Sequence, residues 1–287
     1  MRQVIISNAL VVLLLTTMAA GRAEVPEAEQ ETAATSTLMT LSSRLTLSVD
    51  SSDLVKAELL PRPVLHWSNP IRKSPAGGTF LWTVHGRPIV AMCSYPNLGN
   101  VDYEFQSLSE FPLLAKDQRG RTIWQPREAG VNITELADVV PLKTRARRNI
   151  QLRRVASKFT AAIVKGSGEK QRLTPLRLLP TPLYRYPEDV DCLNAVDTPN
   201  GDRHGNLIDG ALFCFVQSTD PEVLLMLEVW ENDDEELSYT YSLGRMSVII
   251  LQATYGNSVV WKTRWGNKGS KSEYHTVQTK DKWPGDR

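Results

Sequence analysis

The feature that most limits how this chain can fold is that its sequence runs through the same pattern twice. Leu59-Leu60-Pro61-Arg62-Pro63-Val64-Leu65-His66-Trp67 aligns with Leu178-Leu179-Pro180-Thr181-Pro182-Leu183-Tyr184-Arg185-Tyr186. Gly78-Thr79-Phe80-Leu81-Trp82-Thr83-Val84 then aligns with Gly210-Ala211-Leu212-Phe213-Cys214-Phe215-Val216. Turns at Pro88 and Pro221 lead into apolar runs, Ile89–Cys93 and Val223–Trp230. Tyr103-Glu104-Phe105 answers Tyr239-Thr240-Tyr241, and Leu108 answers Leu243. Each copy closes on a glycine turn before an aromatic run, at Gly120–Trp124 and Gly256–Trp261. Matches in one order, at offsets drifting only from 119 to 137, point to an internal duplication.

Each copy reads as about five strands, short runs rich in β-branched and aromatic residues punctuated by Gly, Pro and Asp turns. The Pro-x-Pro strand is an edge or an irregular strand, because proline donates nothing to a ladder. Val223–Trp230 is apolar on both alternating faces except at Glu228, so its sheet is covered on both sides. The expected fold is therefore mainly β: two tandem five-stranded antiparallel β repeats packed as one body and linked by one amphipathic helix. That helix is expected over about residues 145–165, with Leu152, Val155, Ala156, Phe159 and Ile163 on one face. The corresponding domain plan is a signal peptide (1–23), a flexible leader (24–52), β repeat 1 (53–128), a connector with the helix (129–168), β repeat 2 (169–266) and a disordered basic tail (267–287). Within the leader, Leu38–Val49 is compatible with one weak strand. Equivalence of the copies predicts that Trp82 matches Cys214 and that Trp124 matches Trp261.

The segments LRLLPTPLYRYP, DGALFCFVQSTDPEVLLMLE, HGRPIVAMCSYP and YEFQSLS resemble those of a planctomycete-type family of uncharacterised bacterial proteins. The similarity covers roughly residues 58–262. It implies no activity, ligand or catalytic residue.

Residues 1–23 carry a short basic start at Arg2, an apolar stretch around Leu10–Leu15 and small residues near Gly21-Arg22-Ala23, the pattern of a secretory signal peptide. The apolar run is far shorter than a membrane span needs. A secreted or periplasmic protein with no transmembrane segment after cleavage is the expectation. With 33 Lys+Arg against 32 Asp+Glu, no overall basic field invites nucleic acid. The three cysteines, Cys93, Cys192 and Cys214, leave at least one thiol unpaired within the chain.

Chemistry-bearing motifs are sparse. His66, His85, His204 and His275 are scattered, without HExxH or CxxC spacing, so zinc has no ligand set. Calcium has one weak candidate, the oxygen-rich run Asp197, Asn200, Asp202, Asn206 and Asp209, which equally suits a polar surface loop. The acidic run 231–236 reads as a solvated hairpin loop. Cys93 and His85 are near in sequence but diverge along a hairpin, and no GxSxG elbow or P-loop frame is present. No catalytic residue and no cofactor is assigned. The binding candidates are Arg147, Arg154, Lys158 and Lys165 on the helix, with Trp261 and Trp265 flanking two further cations. Cations interleaved with aromatics suit an anionic polymer, and for an exported protein an envelope polymer or glycan is the partner expected. The favoured function is thus a binding or structural role in the periplasm or cell envelope. The alternative is a secreted hydrolase with a cleft between the repeats.

Overall fold

The computed structural model describes residues 27–49, 55–69, 74–188, 205–266 and 269–283. The expected signal peptide lies outside the described residues, as do Cys192, His204 and the candidate ligands Asp197, Asn200 and Asp202. The chain is mainly β, but its strands do not form two five-stranded repeats. They form four small antiparallel sheets set against one another like blades, two of four strands and two of six.

The first copy opens with helix α1 (Glu27–Ser42) and strands β1 (Thr46–Val49) and β2 (Val55–Lys56). It continues through β3 (Glu58–Leu59), β4 (Leu65–Asn69), β5 (Ser74–Val84), β6 (Arg87–Asn97) and β7 (Asn100–Ser107). It then returns through β8 (Leu113–Lys116) and β9 (Thr122–Trp124) to an outer sheet ordered β2-β1-β8-β9. Strands β3 to β7 make an inner sheet. After β10 (Thr134–Glu135) the order starts again with α2 (Arg145–Ala156), β11 (Phe159–Lys165), β12 (Arg172–Pro175), β13 (Arg177–Leu178) and β14 (Tyr184–Arg185). The long hairpin β15 (Asn206–Gln217) and β16 (Asp220–Glu231) follows, then β17 (Leu237–Arg245), β18 (Leu251–Tyr255), β19 (Ser258–Lys262) and β20 (Tyr274–Lys282). The second outer sheet, β12-β11-β18-β19, matches the first strand for strand.

Hydrogen bonds fix the equivalence. Ala57 N donates to Leu47 O as Leu176 N does to Ala161 O, and Leu60 N donates to Leu81 O as Leu179 N does to Cys214 O. Leu108 N donates to Ile89 O as Met246 N does to Glu222 O, so Leu108 matches Met246 rather than Leu243, and Tyr103 matches Tyr241 rather than Tyr239. The repeat is therefore a helix followed by strands split between an outer and an inner sheet. Trp124 and Trp261 are equivalent as expected, opposite Ala115 and Ala253. Trp82 is not equivalent to Cys214: it matches Phe215, and Cys214 matches Leu81, because the register runs one residue off the sequence alignment there.

The helix expected to link the copies is instead the first element of the second, and the first has its own. In α2, Leu152 and Val155 are buried; in α1, Leu38 and Leu41 take the same places. The leader expected to be flexible is instead helix α1 followed by β1, and its apolar residues crowd towards the last turn of α1, which leaves no helical period along the segment. Its hydroxyls are satisfied in the helix, Thr37, Thr40 and Ser42 donating to carbonyls four residues back. Helix α2 stops at Ala156, well short of residue 165. Phe159 and Ile163 lie four apart, a spacing that shares a face in a helix and in a strand alike, and here they belong to β11.

Strand alternation sorts the core into layers. Phe80, Trp82, Val90 and Met92 face the first outer sheet and α1. Phe213, Phe215, Val223, Leu225 and Leu227 face the second outer sheet and α2. Leu81, Ala91 and Cys93 meet Leu212, Cys214, Leu224 and Met226 between the two inner sheets. This accounts for the two-sided apolar pattern of β16.

The copies also exchange their last strands. Strand β10, which ends the first copy, pairs with β17, Thr134 opposite Tyr241. Strand β20, which ends the second, pairs with β7, Val277 opposite Tyr103. Residues 274–282 are thus not a disordered tail. Their polar alternation gave little strand signal, since the segment is held by backbone pairing along β7, with Tyr274 buried at one end. Among the described residues, no helix is long and apolar enough to cross a membrane.

Candidate functional site

A groove of about 360 Å³ opens where the two exchanged segments cross. One wall is Trp261–Gly266, which runs out of β19; the other is Glu128–Asn132, which leads into β10. Gln106, Leu243–Arg245 and Tyr274 form the floor, so both copies contribute.

The floor is rigid because its polar groups are already committed. Arg245 donates from Nε to Ser247 O at 2.6 Å, from Nη1 to Arg264 O at 2.9 Å and from Nη2 to Ile249 O at 2.9 Å. Its guanidinium also lies 4.7 Å from the Tyr274 ring centroid. Burial lowers the Arg245 pKa, opposed by Tyr274 and by the carboxylates Glu273 and Glu104. The Tyr274 hydroxyl donates to Glu104 Oε1. Burial, then the Glu104 charge and that hydrogen bond, push this phenol far above its usual range and keep it protonated. Gln106 bridges the copies: its Oε1 accepts from Arg245 N at 3.2 Å, and its Nε2 donates to Ser107 O at 2.6 Å and Gly130 O at 3.1 Å.

The exposed parts of the groove carry the recognition chemistry. Trp265 is 69% exposed, Trp261 is half-buried, and Lys262 and Arg264 stand exposed beside them. Glu128 is exposed on the opposite wall. Among the described residues, no histidine or cysteine lines the groove. Such a surface can stack an apolar or ring face on indole and hydrogen-bond an extended chain along its length.

Of the residues singled out in the sequence, the structure brings Trp261 and Trp265 together here. The four basic residues are elsewhere. Arg147 and Arg154 are exposed on α2, and Lys165 is exposed at the end of β11. Lys158 is paired, Nζ donating to Asp138 Oδ2 at 3.1 Å and to Tyr255 OH at 3.2 Å. The hydrogen bonds to Tyr255 and Asp138 raise its pKa.

Of the calcium candidates, Asn206 sits exposed at the start of β15, whereas Asp209 is fully buried and already holds cations. Its carboxylate accepts from Arg148 Nε at 2.7 Å, Arg145 Nη1 at 3.1 Å and Arg185 Nη2 at 2.7 Å. Burial alone would raise this carboxyl; the hydrogen bonds and charges of Arg185 and Arg148 outweigh it and hold the pKa low. A metal ion there would meet three guanidinium groups. No cluster of His, Cys, Asp or Glu that could hold a metal occurs among the described residues.

The Cys93–His85 pairing fails on geometry: His85 is exposed in the β5–β6 turn, and Cys93 is buried between the inner sheets. Burial pushes both the Cys93 and Cys214 thiols up, so neither is a thiolate nucleophile.

Sequence reasoning missed Gln106, Glu128, Arg245 and Tyr274. Only the strand exchange brings them together, and nothing in their spacing announces it. The chain matches no protein family, no curated protein and no solved structure in the comparisons with known proteins.

Proposed function

We propose that the protein is a non-catalytic binding protein, exported by residues 1–23 and acting in the periplasm or cell envelope. Its groove holds an extended ligand chain against Trp261 and Trp265. The observation that carries this reading is the 69%-exposed Trp265 on the wall of a groove to which both copies contribute. A large indole left in water at a built concavity is the usual mark of a recognition surface. The floor supports binding rather than turnover, since its arginine, glutamine and tyrosine are tied to fixed partners.

Titration of the purified protein with oligomeric envelope glycans and other extended polymers, read by tryptophan fluorescence, tests the reading. Saturable binding that Trp265→Ala removes without moving the melting temperature supports it. The hydrolase alternative draws on Glu128 and Glu273, which bring one carboxylate from each copy to the groove. Turnover that survives purification and is lost in Glu128→Gln or Glu273→Gln would replace the binding reading.

A further inference from the structure

We infer that the groove is a slot left open in the second copy, and that its ligand is a polypeptide segment that docks by its main-chain carbonyls along the edge of β19. This inference rests on the binding reading above and names the class of ligand. It comes from comparing the groove with its equivalent in the first copy, where the slot is filled.

In the first copy the chain itself occupies the place beside β9. Gln125 N donates to Ser270 O at 2.7 Å, Trp124 Nε1 donates to Ser272 O at 2.9 Å and Ser107 N donates to Glu273 O at 2.8 Å. A turn, with Ser272 N donating to Gly269 O at 3.1 Å, thereby covers the sheet edge, and Trp124 is fully buried. The equivalent donors in the second copy are Lys262 N, Trp261 Nε1 and Arg245 N. Among the described residues only the last is met, and by a side chain, Gln106 Oε1. Among the described residues no hydrogen bond joins the Trp261 indole N–H to a partner. Strand β19 is the last of its sheet. Thr263 N donates inward to Leu251 O, so ladder alternation turns the neighbouring Lys262 N–H outward, into the open edge.

Segment length explains the difference. Val277 lies sixteen positions after Trp261, long enough for the segment to pass β9 before reaching β7. The equivalent Thr134 lies ten positions after Trp124. This shorter segment stays on its own copy, Gly130 N donating to Ser109 O at 2.8 Å, and leaves the space beside β19 as the groove. Main-chain carbonyls of a docked segment would take the Lys262 and Trp261 donors, and Trp265 would cover it. Docking of this kind draws its affinity from the main-chain carbonyls of the bound segment.

The probe is a synthetic peptide with the sequence of residues 269–276, which contains the stretch that fills the equivalent slot, titrated into the full chain and followed by NMR. Shifts confined to β19 and Trp265 are expected. Lys262→Pro removes the outward N–H without costing the sheet a bond, as edge strands tolerate. Trp261→Phe removes only the indole N–H. Each should weaken the peptide at least tenfold, and Trp261→Phe serves alone if Lys262→Pro does not fold. Peptide binding unchanged in Trp261→Phe overturns the inference. So does retention of glycan oligomers with no peptide binding, which would leave the binding reading standing. Binding of neither class removes both.

Discussion

The two inner sheets are clamped by a buried ion pair whose removal has a calculable effect. Arg87, which opens β6, donates from Nε to Glu228 Oε1 at 2.7 Å and from Nη2 to Glu228 Oε2 at 3.0 Å. Tyr186 OH donates to the same Oε1 at 2.9 Å. Arg87 is 2% exposed, Glu228 1% and Tyr186 0%. Burial alone would lower the Arg87 pKa, but the Glu228 charge and hydrogen bonds more than restore it, so Arg87 keeps its charge in the interior. Breaking such a pair leaves a charge stranded in the interior, at a cost of about 3–5 kcal/mol. Glu228→Leu should therefore lower the melting temperature by roughly 6–20 °C, at about 2–4 °C per kcal/mol for a chain of this size. Replacing both charges, as Arg87→Met with Glu228→Leu, removes the stranded charge but leaves the Tyr186 hydroxyl only the weak acceptor Met226 Sδ at 3.6 Å, at a cost of about 1–3 kcal/mol. Adding Tyr186→Phe should return stability to near that of the parent chain. Urea unfolding followed by far-UV dichroism, run as a mutant cycle, measures all three. A Glu228→Leu chain within about 1 kcal/mol of the parent would refute the reasoning.

Three other outcomes are expected. Asp209 is held below its unfolded pKa by Arg185 and Arg148, so it contributes stability above about pH 4 that is lost as pH falls through its folded value. Acid unfolding curves of Asp209→Asn should lack that component, at a lower stability at neutral pH. A Cβ on Gly210 would sit 2.4 Å from the Tyr186 ring, too close for any real contact, so Gly210→Ala should destabilise by about 1–3 kcal/mol in the same urea assay. Truncation after residue 266 removes β20 and exposes the β7 edge. Hydrogen exchange should then accelerate at Tyr103–Ser107 more than at Tyr239–Leu243, whose partner β10 is retained.

The duplication was legible because its strongest matches sit on the inner hairpins, where burial on both faces constrains residue type. The outer sheets were not, although a faint match was present. Ser43-Arg44-Leu45-Thr46 answers Ser157-Lys158-Phe159-Thr160, one pair in what read as a leader and the other in what read as a helix. Both readings erred for the same reason: short half-exposed strands carry few apolar residues, and their pairing is set by partners far away in sequence. The Trp82–Cys214 alignment slipped by one because Gly77-Gly78 offers two glycines where the second copy has Gly210 alone. The structure selects Gly77, whose missing Cβ makes room for Trp67 as that of Gly210 does for Tyr186. Trp261 and Trp265 were legible as aromatics among cations. The groove they line was not, because it exists only through the unequal lengths of the two exchanged segments.

Amide hydrogen exchange at two equivalent positions tests the filled and open slots most directly. Gln125 N–H is bonded to Ser270 O, whereas Lys262 N–H faces the open edge of β19. In the free protein Gln125 should be protected and Lys262 should exchange more than about tenfold faster, the factor that 1.4 kcal/mol of local protection confers. Equal protection at the two amides would contradict the account.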